Sequence, residues 1–160
     1  NGADYGGGAG SCSLADCVLS NNVAGKNGGG MYLSGLTNGV LVDNAAGMTG
    51  GGAYGGTTRY GLFRGNTAMN SGGGARNGTL VNCVLAGNTS GGTGGGCCDA
   101  IVQSCSIAGN KAIEAGGGAF GGTILNSIVY HNWAPVADNA TNAAFTFSCT
   151  IPLAAGSKVF

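Results

Sequence analysis

Charge is the scarcest feature of this sequence: Lys and Arg together number 6, Asp and Glu number 6, and there is a single histidine in 160 residues. A net charge of zero offers no electrostatic footprint for nucleic acid and no polybasic patch for a membrane surface. We therefore expect no nucleic-acid partner. Proline is nearly missing as well, at 2 residues, which excludes collagen despite 36 glycines. Glycine also fails to recur at every third position, as "TTRYGLFRGN" shows. Apolar runs are only a few residues long, so none spans a bilayer as a helix, and no membrane insertion is expected. Hydrophobic residues nevertheless make up 43% of the chain, too many for a polar disordered tail.

What the sequence has in abundance is a period. The triplet Gly-Gly-Gly begins at Gly6, Gly28, Gly50, Gly72, Gly94 and Gly116, each start 22 residues after the last. Numbered from the triplet, position 4 of the row reads Ala9, Met31, Ala53, Ala75, Cys97, Ala119, and position 14 reads Leu19, Leu41, Phe63, Leu85, Ile107, Val129. Position 17 is asparagine in all six rows: Asn22, Asn44, Asn66, Asn88, Asn110, Asn132. Position 12 is small throughout: Cys17, Gly39, Gly61, Cys83, Cys105, Ser127. A flexible linker has no reason to keep phase.

Three glycines per row oppose helix, and the apolar residues come in short alternating bursts. In "GTLVNCVLAGN", Leu80, Cys83 and Leu85 read as inward. We expect an all-β parallel β-helix of about seven coils, with three short strands and three turns per coil. Each strand pairs with its equivalent one row later, about 4.8 Å away. Glycine permits left-handed bends and close approach between coils. The Asn column reads as a ladder of stacked amides hydrogen-bonded along the axis. Residues 1–132 form the regular rows, and 133–160 a divergent last coil and tail. Kept in phase, that coil places Cys149 at position 12, Ile151 at position 14 and Ala154 where the asparagine would be.

"GGGAY", "GGGAR" and "GGGAF", each followed by tetrads such as "LSNN", "FRGN" and "LAGN", resemble the repeats of polymorphic outer-membrane proteins, written GGA-[ILV] and FxxN. Phe63 alone supplies the Phe of FxxN; the other rows have Leu, Ile or Val. The resemblance implies a right-handed helix and a secreted or surface-displayed passenger, often associated with adhesion. It fixes no ligand.

Chemistry is sparse. The six acids Asp4, Asp16, Asp43, Asp99, Glu114 and Asp138 never share a position in adjacent rows, so no stacked carboxylate pair is evident. Asp4 and Lys26 do share one and should form a surface ion pair. His131 has no partner placed by the repeat. No Asp recurs as in calcium-binding β-rolls, and adjacent Cys97 and Cys98 are not a zinc spacing. We expect no enzyme, no cofactor and no metal. Cys83 and Cys105 stack on adjacent rows, about 4.8 Å apart at Cα, which makes them a candidate disulfide; their alternative role is small buried filler.

Position 13 should point outward: Val18, Val40, Leu62, Val84, Ser106, Ile128. Such an apolar stripe marks a contact surface, covered either by the tail or by another chain. The chain opens in mid-row without a capping sequence, so it is either cut from a longer solenoid or stacks on a second copy. The expected function is a non-enzymatic structural module of an extracellular or bacterial cell-surface protein, self-associating end to end into a fibre or stalk. An alternative is an adhesin-type passenger fragment that binds a glycan or a host or surface protein. A polysaccharide lyase or hydrolase ranks third.

Overall fold

The computed structural model describes residues 2–151. These form an all-β parallel solenoid of about seven coils, with no helix among the described residues. Each regular coil has four short walls rather than the three expected. In the third coil they are Ala53–Tyr54, Thr57–Arg59, Leu62–Arg64 and Thr67–Ala68. Equivalent walls from successive coils stack as one six-stranded and three seven-stranded sheets, every strand parallel to its neighbours. The register is the row length: Thr57 pairs with Thr79, and Thr79 with Ile101.

The fourth wall exists because each coil turns four corners. Positions 1, 6, 11 and 16 of all six regular rows carry positive φ. Position 11, for example, is Asp16, Asn38, Tyr60, Asn82, Ser104, Asn126 and Phe147, with φ between 47° and 55°. Only position 1 is a glycine in all six regular rows; most of the other corners are Asn, Asp, Ser or glycine, which with a short polar side chain or none tolerate the left-handed region, with Leu33, Tyr60 and His131 as the exceptions in the regular rows. The other two glycines of the triplet are there for space. A Cβ on Gly51 would run into the backbone oxygens of Gly73 and Thr67, and one on Gly52 would lie 3.0 Å from Phe63 and 3.1 Å from the Asn66 amide carbon.

Inside the walls lies one continuous apolar core. Leu41, Phe63, Leu85, Ile107 and Val129 from the third wall meet Leu36, Leu80, Val102 and Ile124 from the second, all essentially inaccessible. The small residues of position 4 face them from the first wall, as the periodicity predicts. Each coil covers the next, so the core needs no globular shape.

The seventh coil departs from the predicted phase. Lys111 still bridges Trp133 at the full period, but Ala115 bridges Val136, so one residue is lost between them, beside Pro135. Downstream, Thr123 pairs with Ala144 and Ile128 with Cys149, an offset of 21 residues. Position 12 is therefore Ser148 and not Cys149. Cys149 falls at outward position 13, Thr150 is the buried residue at position 14, and Ile151 pairs with Tyr130. Ala154 lies outside the described residues.

Candidate functional site

The Asn column is a continuous hydrogen-bonded ladder within the wall of the core. The backbone N–H and the side-chain amide of Asn44 both donate to Asn66 Oδ1 at 3.0 Å. Asn66 does the same to Asn88, Asn88 to Asn110, and Asn110 to Asn132, at 2.9–3.0 Å. Each amide gives its second hydrogen to a carbonyl of the preceding coil, as Asn66 does to Leu41 at 2.9 Å. Every rung from Asn44 to Asn132 is buried, so these bonds satisfy groups that would otherwise be stranded from water.

At the far end the ladder closes on a residue from another position. Asn132 donates to Asn139 Oδ1 at 3.1 Å from its backbone and 3.2 Å from its side chain. Asn139 occupies the place of the third glycine, since Gly118 N–H donates to its carbonyl. In regular coils a Cβ at that site would run first into the backbone oxygen of the same position one coil on, and then into the same row's ladder Asn. At the near end, Asn22 donates to Asn44 Oδ1 at 3.0 Å. Its own Oδ1 receives no donor from the described residues.

Position 12, where the sequence offers a candidate disulfide or small buried filler, carries a second, shorter ladder. Cys83 N–H donates to Cys105 Sγ at 3.3 Å, Cys105 N–H to Ser127 Oγ at 3.0 Å, and Ser127 N–H to Ser148 Oγ at 3.1 Å. Each side chain in turn donates to the carbonyl two residues before it. Cys and Ser interchange here because both offer one acceptor and one donor at the same reach. The presence of both Cys and Ser in one inward column is the signal that the sequence carries. Cys83 and Cys105 are free thiols in the structure, as are all seven cysteines. The hydrogen bond with Cys105, together with burial, pushes the Cys83 thiol far above its ordinary value. Burial does the same to Cys97.

Outside, the stripe at position 13 is exposed. Val18 is 68% accessible, Val84 45% and Ile128 51%, with Val40 and Leu62 half-buried. The described part of the tail does not cover it; those residues build the seventh coil. Between Asn38, Val40, Tyr60, Leu62, Asn82 and Val84 the surface dips into a groove of about 340 Å³ floored by Gly39 and Gly61. On the first wall the rings of Tyr32 and Tyr54 stack at 5.3 Å, with Tyr5 tilted against Tyr32 at 5.0 Å. Lys26 lies over Tyr5 and forms the expected ion pair with Asp4 at 2.9 Å. Both partners are well exposed, so the pair contributes little to stability.

His131 stands at a left-handed corner with its ring against Tyr130. Arg76 bridges Asp99 at 3.2 Å and also contacts Ser71. Among the described residues no group of three or more His, Cys, Asp or Glu side chains could hold a metal ion. Compared with known proteins, no family model matches the chain and no curated protein does.

Proposed function

We propose that the chain is a structural rod, a module of an extracellular or cell-surface protein, that associates end to end into a fibre or stalk. One observation carries this reading. Each coil presents the next with the same lattice of four parallel strands and one ladder amide, whose Oδ1 takes two N–H groups from the coil before it. Asn44, Asn66, Asn88, Asn110 and Asn132 each accept two N–H groups at that atom. A coil of the same repeat on a second copy carries the matching donors, and such a head-to-tail contact propagates because it does not close. The likeness of the GGA and FxxN tetrads to polymorphic outer-membrane repeats supports a right-handed coil and a surface location.

A second reading is an adhesin-type passenger fragment that binds glycan or protein with its side walls. The stacked Tyr5, Tyr32 and Tyr54 and the exposed stripe favour it. Electron microscopy across a concentration series, with and without reductant, separates the two. Coil stacking gives uniform unbranched fibres that lengthen with concentration and survive reductant. Isolated rods about 30 Å long at every concentration would leave the adhesin reading in the lead.

A further inference from the structure

We infer that Asn38 is a site of spontaneous deamidation, converting to aspartate and isoaspartate in the folded protein. Among the described residues asparagine precedes glycine three times, at Asn27–Gly28, Asn38–Gly39 and Asn77–Gly78. Glycine has no side chain to shield its amide nitrogen, so the three pairs start with equal chemistry. The fold makes them unequal. Gly28 N–H is tied to Thr49 O at 3.0 Å, and Asn27 is half-buried with its Oδ1 accepting from Thr49 at 2.8 Å. Gly39 N–H has no hydrogen-bond acceptor among the described residues, because the next residue in its column, Gly61, has no side chain to offer one. Asn38 is exposed at its corner, and both Asn38 and Gly39 line the open groove beneath Val40 and Leu62. Gly78 N–H also lacks an acceptor among the described residues, and Gly78 is buried as Gly39 is, but neither it nor Asn77 lines this groove.

The chemistry needs only water. The Gly39 amide nitrogen gives its proton to hydroxide and attacks Asn38 Cγ. An N–Cγ bond forms, the Cγ–Nδ2 bond breaks, and the amide leaves as ammonia with a proton from solvent. Water then opens the five-membered succinimide at either carbonyl, and nothing is oxidised or reduced. The product places a new carboxylate beside Asp16, whose Oδ1 now accepts a hydrogen bond from Asn38 Nδ2 at 2.5 Å. A bond across the first two coils becomes a like-charge contact at the exposed corner.

The test is tandem mass spectrometry of the folded chain incubated at mildly alkaline pH, with the urea-unfolded chain as reference. In the unfolded chain all three pairs gain one dalton at similar rates. In the folded chain the Asn38 peptide should convert several-fold faster than the Asn77 peptide, and Asn27 should stay intact. An Asn38→Gln variant should lose the fast phase alone. Conversion of Asn27 as fast as Asn38, or an Asn38 that changes only in urea, would overturn the inference.

Discussion

At Asn66 six hydrogen bonds meet: two accepted at Oδ1, one accepted by the backbone carbonyl from Thr89, one donated by the backbone and two by the side-chain amide. Asn66→Ala strands two donors of Asn44 and the Leu41 carbonyl in a dry wall, and should lower stability by about 3 kcal/mol. Asn22→Ala removes only one bond, at a half-buried rung, and should cost about 1 kcal/mol. Urea unfolding of the two variants checks the difference; equal losses would mean that the ladder is not what the column is for. Cys105 offers a finer comparison. Cys105→Ser keeps an acceptor for Cys83 N–H, whereas Cys105→Ala leaves it unmet and should be worse by about 1 kcal/mol. The buried thiols also predict a pH dependence. Burial raises Cys97 and Cys98 above the ordinary thiol value of 9.0. Their contribution is therefore complete below that value and is lost as pH climbs past it. The urea midpoint should hold from neutral pH to the thiol range and fall beyond it. Replacing both residues with Ser should flatten that fall.

Among the walls and corners, two glycines separate space from flexibility. Gly51→Ala forces a Cβ into two backbone oxygens and should cost about 3 kcal/mol or more by prising adjacent coils apart. Gly10→Ala meets nothing within 4 Å and should stabilise by about 0.5 kcal/mol, through the unfolded chain. Thermal melts of both check this, and a harmless Gly51→Ala would contradict the close-packed corner. The inward columns were legible from period alone: Leu41, Phe63 and Leu85 repeat in phase, and all are buried. So was the Asn ladder. The fourth wall was not legible, because its strands are two residues long in most coils and the corner before it varies, with Gly65, Gly87 and Gly109 in three rows and Asn21, Asp43 and His131 in the others. The missing residue beside Pro135 was hidden for a different reason. Cys149 and Ile151 match the small-then-apolar pattern in the old phase, while the true inward pair, Ser148 and Thr150, is polar. The second ladder is hidden in the sequence because Cys has the size of an apolar filler, and only Ser127 in the same column marks the position as hydrogen-bonding.

Across the described residues, about seven coils at about 4.8 Å spacing give a rod about 30 Å long, with an apolar stripe along one wall and the strand edges of the coils facing along the axis. These two surfaces predict different assemblies. Stacking through the edge carries the 22-residue lattice forward along the axis, whereas contact through Val18, Val84 and Ile128 sets rods side by side. Val84→Lys combined with Ile128→Lys should reduce bundling in electron micrographs without shortening individual fibres; fibres that vanish with the stripe would make the lateral contact primary. The most direct measurement is X-ray diffraction from the concentrated, flow-aligned protein. End-to-end growth places the reflection near 4.8 Å on the meridian, along the fibre axis. The same reflection on the equator, or a solution that never orders, would contradict a fibre built coil upon coil.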